Sequence, residues 1–552
     1  MYPSEPFPHF VDDYLAYLHE VFPTQATLDG THLHDDLLED LSRPAVEAHV
    51  RALSGFSRRL HQIDSGALPP TERIEHPIIS SHVEAQMFEY EDVRTWERNP
   101  QLYADIIGTS LASQALFAYA PEPERARRMV SKLRQIPRLV QAARDNIKEC
   151  PGIFVKNGLE SWRGILKFID TDLPRAFASL DDLHILGDLA DTSAEASTAA
   201  KAYIDYLETD LAPRAKASFR LGREKFEKKL KLDEGITLTA DRLLAIAMRE
   251  LHEVQEEFRS VAGKLNGGDP EAAWRAVKDE HPAPGELVKS AQAQVKELEE
   301  FLRRQSIVTM PDAEPVVVAP TPDFYRWTFA SMWTPGPFEA KPSRAYYYLT
   351  DVERSWPAER QQEHMRSYSY PILWNISIHE VYPGHFLHFQ HLRQVESKVR
   401  KSTFFAPASV VEGWAHYCEQ MMIEAGFRRS EPAVKLGQLA EALIRLARFV
   451  VCIRLHCEDM SVEQGMRFFR DEAFLEESAA RREAERGTFD ATYLVYSVGK
   501  LMMLKLRRDY KEQQAGKFSL RAFHDAVLAQ GCAPFTALRQ LLLQDAAAAP
   551  LE

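Results

Sequence analysis

The sequence predicts a mainly α fold, a large multi-helix body with a small β insert near residues 307–350. Three observations carry that expectation. Apolar residues recur at three- and four-residue spacing, with charges between them, through most of the chain. From Ile307 to Thr350 the texture changes to proline, aromatic and β-branched residues. No fixed-period repeat runs through the 552 residues, so a solenoid is not indicated.

Between Glu122 and Ile169, "RARRMVSKLRQIPRLVQAARDNIKEC" and "FVKNGLESWRGILKFI" have helical spacing, and Pro137 and Pro151-Gly152 are expected to cut them into shorter helices. Long helices are expected over Ala194–Phe219, over Thr239–Leu265 with Thr239 as N-cap, and over Lys289–Gln305. Charge runs on these helices read as solvated faces. "EPVVVAP" and "RAYYYLT" read as short strands. Helical texture resumes near Gln361 and continues to the "DAAAAP" tail. No clean linker appears. A soft boundary near residue 215 divides an N-terminal helical lobe, 1–215, from a C-terminal lobe, 216–552, that carries the chemistry.

A formal charge of −14 argues against a nucleic-acid partner, which requires a basic face. Five scattered cysteines, never in Cys-x-x-Cys spacing, suit a reducing compartment and exclude a thiolate zinc knot. Neither a signal-peptide pattern nor an apolar run of membrane-spanning length is visible, so the cytoplasm is the expected location and no membrane partner is expected.

The chemistry gathers in "SIHEVYPGHFLHFQHL", Ser377–Leu392. His379-Glu380 opens like the zinc-protease pattern His-Glu-x-x-His, but the next histidine is His385. Six residues at about 100° each turn the two histidines roughly 240° apart on a regular helix, too far to share a metal. Pro383-Gly384 lies between them. Proline removes an N–H and its ring clashes with the preceding turn; glycine tolerates the angles that follow. The expectation is a helix bulged by two residues, with His385 returned to the face of His379. Zinc then gains two imidazole ligands, and Glu380 can take a proton from a metal-activated water. His388 and His391 read as packing residues or neighbours of the ligands.

A third ligand is expected from "VVEGWAHYCEQMM", Val410–Met422, where Glu412, His416 and Glu419 form one helical stripe. Buried ionisable groups flanked by Trp414, Tyr417 and Met421 are costly unless paired or metal-bound. Glu412 is the preferred ligand. Glu419 or His416 can take that role instead, or orient a ligand histidine from behind.

The heptapeptide His379–His385 together with Glu412-Gly413-Trp414-Ala415 resembles the DUF885 family, read as zinc metallopeptidases of the gluzincin type. Supporting likenesses run from "FPTQATLDGTHLHDDLLEDLS" and "IPRLVQAARDNIKECPGIFV" to "RGTFDATYLVYSVGKLMMLKLR" and "LRAFHDAVLAQGCAPFTALRQLL". The resemblance implies one zinc per chain, held by His379, His385 and Glu412, with Glu380 as general base. Manganese or cobalt suits the same ligands. Family members often carry a second histidine after Pro-Gly-His; Phe386 stands there in this chain.

Tyr496 matches the family's tyrosine three before a glycine and is the candidate oxyanion donor. Lys500 and Arg507 follow it at helical spacing; each is a candidate for a substrate carboxylate, with a salt bridge the preferred reading. "WTPGPFE", Trp333–Glu339, and "AYYYLT", Ala345–Thr350, are candidate edge strands for an extended peptide. These features predict a zinc metallohydrolase acting on oligopeptides. A metal-dependent amidase and a non-catalytic helical scaffold are the alternatives.

Overall fold

The computed structural model describes residues 5–265, 269–311, 316–322, 329–341, 344–544 and 549–551. The fold is mainly α, with one three-stranded sheet. Glu314 and Pro315 of the first expected strand, and most of the "DAAAAP" tail, lie outside the described residues. Among the described residues no helix is long and apolar enough to cross a membrane.

Two hydrophobic cores organise the chain. The smaller draws on residues from Leu38 to Leu211, chiefly helices Pro100–Leu116, Glu122–Asn146, Gly152–Lys167 and Leu183–Tyr206. The larger joins residues from Phe226 to Leu543 with residues from Phe7 to Val83. The smaller core therefore ends near the boundary expected at 215. The first helices, Phe7–Val21 and Pro70–Phe88, instead complete the larger core across that boundary.

Helix Glu122–Asn146 runs unbroken through Pro137. Its buried face, from Ala126 to Ala143, packs along helix Leu183–Tyr206, and tertiary burial overrides the local penalty of one proline. The helix expected over Ala194–Phe219 begins earlier, at Leu183, where Asp182 caps it, and its regular part ends at Tyr206. Thr239 does cap its helix, accepting the Arg242 N–H at 3.3 Å.

The sheet has the order β1-β3-β2, with β1 at Val317–Pro320, β2 at Ala330–Trp333 and β3 at Tyr346–Leu349. β3 runs parallel to β1 and antiparallel to β2. The "AYYYLT" segment thus forms the central strand and has no free edge. Only Trp333 of "WTPGPFE" is in a strand. The rest docks by backbone on residues 29–30: the Phe338 N–H bonds the Asp29 carbonyl at 2.9 Å, and a Cβ on Gly336 would meet that backbone at 2.3 Å. The free edge nearest the histidines belongs to β2, a strand that sequence texture does not reveal. Tyr347 of β3 ties the sheet to the histidine-bearing helix Tyr370–Glu380. Its hydroxyl lies 3.4 Å from Ser377 Oγ, which in turn donates to Gln294.

Helices Ala408–Glu424 and Val495–Gln514 cross backbone to backbone at Gly413 and Gly499. A Cβ on Gly499 would sit 1.9 Å from the Ser409 carbonyl oxygen. Gly499→Ala removes a helix-weakening glycine, worth about 1 kcal/mol, but forces the helices apart, an overpacking cost of about 1–3 kcal/mol or more. With backbone as the obstacle the clash wins. The substitution lowers the urea midpoint by the equivalent of about 2 kcal/mol; an unchanged or raised midpoint would sink the close-crossing argument.

Candidate metal centre

The histidine stretch forms two helices rather than one bulged helix. Helix Tyr370–Glu380 ends at Glu380, four residues turn, and helix His385–Leu392 begins. Within the turn the Val381 N–H bonds the Ser377 carbonyl at 3.0 Å and the Gly384 N–H bonds that of Ile378 at 3.0 Å. A Cβ at Gly384 would fall 1.8 Å from the His379 carbonyl oxygen, so only glycine lets the chain fold back this tightly. The His379 and His385 rings end 4.8 Å apart, centroid to centroid, and perpendicular. Trp414 Nε1 donates to the Pro383 carbonyl at 2.9 Å, docking the turn on the helix that carries Glu412.

Ligand-capable atoms of His379, His385 and Glu412 all lie within 4.8 Å of one another. Glu412 Oε2 is 3.4 Å from His379 Nε2 and 3.4 Å from His385 Nε2. Two atoms each bound to a tetrahedral zinc at about 2.0–2.1 Å stand roughly 3.3–3.4 Å apart. Glu412 Oε2 is also buried without a hydrogen-bond donor, a costly state that a cation relieves. The donor set and its spacing therefore fit a zinc ion.

Glu419 lies behind the ligands. Fully buried, it accepts from His379 Nδ1 at 2.7 Å, Asn375 Nδ2 at 2.8 Å and His416 Nδ1 at 3.1 Å, and pairs with Arg445 at 3.1 Å. A carboxylate only accepts, so Nδ1 of His379 carries a proton toward Glu419, and Nε2 is the nitrogen left facing Glu412 and His385. Burial opposes the Glu419 charge, but Arg445, His416 and His379 hold it well below the usual carboxylate range. Glu412 is likewise held low against burial by His385 and His379. In the metal-free chain these carboxylates overcome burial and raise His379 to about 9.

Glu380, at the end of its helix, is half-buried and makes no hydrogen bond or ion pair among the described residues. Its charge reaches the Tyr347 hydroxyl, whose pKa is raised mainly by burial and further by Glu380. The Tyr496 ring stacks 6.5 Å from His379, with the guanidinium of Arg448 5.2 Å from its centroid. Burial and the Glu412 charge raise the Tyr496 hydroxyl pKa, while Arg486 and Arg448 pull it down.

Of the other candidates, His416 serves Glu419. Burial pushes its pKa down to about 3. His388, also pushed down to about 3 by burial, packs against Trp414 and Cys532. His391 Nε2 donates to the Thr309 carbonyl at 2.9 Å. Arg507 pairs with Glu424 at 2.8 Å and reaches the Tyr417 hydroxyl at 3.2 Å, a packing role. Lys500 departs from expectation. It is buried with no hydrogen bond or ion pair among the described residues, and burial pushes it down to about 8 despite the Glu419 charge. Two residues of the site, Asn375 and Arg445, escape a sequence reading. Asn375 stands four before His379, and Arg445 is a cation inside the apolar run "ALIRLARFVVC".

A cleft of about 900 Å³ is lined by β2, helices Pro100–Leu116 and Gly152–Lys167, and Phe389 of the helix that begins at His385. Phe389 stands one turn beyond His385, on the same helix face.

Glu419→Ala removes the group that orients His379 and lowers zinc affinity by roughly 10–100-fold, as loss of such partners does. Competition titration with a chromophoric chelator reads this, and an unchanged affinity counts against the orienting role. Lys500 gives a pH signature. Its folded pKa lies below 10.5, so between about pH 8 and 10.5 the unfolded chain binds more protons and stability rises with pH. Lys500→Met removes the share of that rise due to Lys500 and stabilises the chain at pH 7 by roughly 3 kcal/mol. Urea unfolding of both proteins at pH 7 and pH 10 measures this, and an advantage of the variant that is no larger at pH 7 than at pH 10 contradicts the assignment.

Comparison with curated proteins finds no match. Among solved structures, a protein from Shewanella oneidensis described as a "putative lipoprotein of unknown function" is 26% identical. The likeness covers 98% of this chain and 100% of that one, with a TM-score of 0.80. A "putative lipoprotein" from Colwellia psychrerythraea is 18% identical, covering 97% of this chain and 98% of its own, with a TM-score of 0.79, and shows the same fold. Over residues 23–542 the sequence matches DUF885, "Bacterial protein of unknown function", and the chain belongs to that family.

Proposed function

We propose that this chain is a zinc-dependent hydrolase of peptide bonds. The single observation that carries the reading is the 3.4 Å spacing of Glu412 Oε2 from both histidine Nε2 atoms. His379, His385 and Glu412 would hold the ion, with Glu419 fixing His379 from behind. A zinc ion held there would supply Lewis-acid polarisation of a carbonyl and a water acidic enough to attack near neutral pH.

The remaining work falls to side chains. Glu380 directly follows a proposed ligand and has no partner among the described residues, so its carboxylate is free to accept a proton from the attacking water and return it to the leaving amine. Tyr496, half-buried and ringed by guanidinium groups, offers its O–H to the oxyanion that develops on the scissile carbonyl. A peptide is the favoured substrate because the cleft exposes the free edge of β2. Consecutive strand residues point to opposite faces. A wall made of Ser331, Met332, Trp333 and Thr334 in succession is therefore the strand's edge, where an extended chain finds backbone partners. The hydrolytic reading holds in either compartment. Five unpaired cysteines suit the cytoplasm, while the neighbours' descriptions make lipid anchoring the alternative.

Glu380→Gln abolishes peptide turnover while zinc content stays near one per chain. Tyr496→Phe lowers kcat by roughly 10²–10³ with a small change in KM. Elemental analysis beside a mass-mapped peptide digest checks both. Retained turnover in zinc-loaded Glu380→Gln protein defeats the assigned base.

A further inference from the structure

The cleft has a chemical bias that neither the metal centre nor the sheet edge accounts for. Two neighbouring helix faces form the wall opposite β2: Asp105, Gly108 and Ala112 from helix Pro100–Leu116, and Glu160, Gly164 and Phe168 from helix Gly152–Lys167 and the turn that ends it. These residues follow the three- and four-residue spacing of single helix faces. A Cβ on Gly158 would meet Pro100 at 2.7 Å, and one on Gly108 would meet Ile165 at 2.9 Å. The two helices therefore run side by side in the same direction, with position 105 opposite about 162. At 1.5 Å per residue, Glu160 is displaced from Asp105 by only about 4 Å along the axis.

Asp105 and Glu160 are the only ionisable side chains among the described residues lining the cleft, and neither has an ion-pair partner among the described residues. On an ordinary solvated helix face such acids alternate with lysine and arginine. Here they share their wall with glycine, alanine and phenylalanine. The Asp105 carboxyl is exposed to the cleft yet pushed up to about 7 by burial, against a hydrogen bond from Gln101. Glu160 and the ionised fraction of Asp105 make the cleft acidic, with no counter-ion in its lining among the described residues, and its Phe389 stands one helical turn from His385.

We propose that this cleft is a subsite for a positively charged amino group of the substrate, an α-ammonium or a basic side chain, held by Asp105 and Glu160 while the substrate backbone lies along β2. The subsite rests on the peptide-hydrolase reading, so its test separates binding from turnover. Zinc-loaded, full-length Glu380→Gln protein is titrated calorimetrically with the C-terminal amides of Ala-Ala-Phe-Ala-Ala, of its N-acetylated form, and of N-acetylated Ala-Lys-Phe-Ala-Ala. At least one of the two cationic peptides binds tenfold or more tighter than the neutral one, and which one does so identifies the α-ammonium or the side chain as the group read. Adding Asp105→Asn and Glu160→Gln erases that preference while affinity for the neutral peptide stays within about twofold. Equal affinity for all three peptides, absence of binding by all three, or a preference that survives the double substitution overturns the subsite. Failure of the unaltered enzyme to hydrolyse any of them, with the charge preference intact, defeats the hydrolase reading alone.

Discussion

The buried carboxylate of Glu419 is the constraint on which the rest of the site depends. An isolated charge removed from water costs several kcal/mol even after relaxation, and Glu419 has no exposed surface. It persists because three helices each bring it a donor: Asn375 and His379 from one, His416 from its own, and Arg445 from helix Pro432–Cys457. Satisfying that single group fixes the three helices relative to one another. The network also orients the His379 imidazole, and the candidate ligand atoms stand at the spacing a tetrahedral zinc would need.

The imidazole of His379 spans two carboxylates. Glu412 and Glu419 are seven residues apart, so they share a helix face about 10 Å apart along its axis. One faces Nε2 at 3.4 Å and the other receives a hydrogen bond from Nδ1 at 2.7 Å. This division of roles follows from where the neighbouring backbones approach. Gly413, next to Glu412, lies against Gly499 and so near Tyr496 at the reactive side. Glu419 lies deeper, where Arg445 supplies the countercharge. The two acids differ in environment more than in chemistry: Glu412 Oε2 faces two histidines at 3.4 Å without a hydrogen bond, while both oxygens of Glu419 accept hydrogen bonds.

What can be read from sequence follows the range of the interactions. The His379–His385 spacing and Pro383-Gly384 together demand a break, because helix geometry and proline sterics act within a few residues. The Glu412–Glu419 stripe is legible for the same reason, although periodicity alone does not choose the ligand. The form of the break is less legible. A bulge and a full turn satisfy the same spacing, and the turn is selected by the Trp414 indole bonding the Pro383 carbonyl from another helix. Arg445 is invisible in sequence because its partner Glu419 stands on a different helix and meets it only in the packed core. β3 reads as an edge because strand order depends on β2, whose pairing partner lies across a loop. Lys500 sits at a spacing that suits a salt bridge, and the core around it offers none among the described residues.

The division of labour between the two cores sharpens the functional reading. The proposed ligands, Glu380 and Tyr496 all stand on helices of the larger core. The acids of the cleft stand on helices of the smaller core. A molecule that lies along β2 and reaches Asp105 therefore touches both bodies at once, and its binding energy depends on their separation. Near the cleft, Phe117 meets Trp333 with centroids 5.3 Å apart, and the chain Arg128–Asp35–His32–Glu339 ties helix Glu122–Asn146 to the segment that follows β2. The proposed chemistry thus stands on one core, and the proposed recognition of substrate on the other.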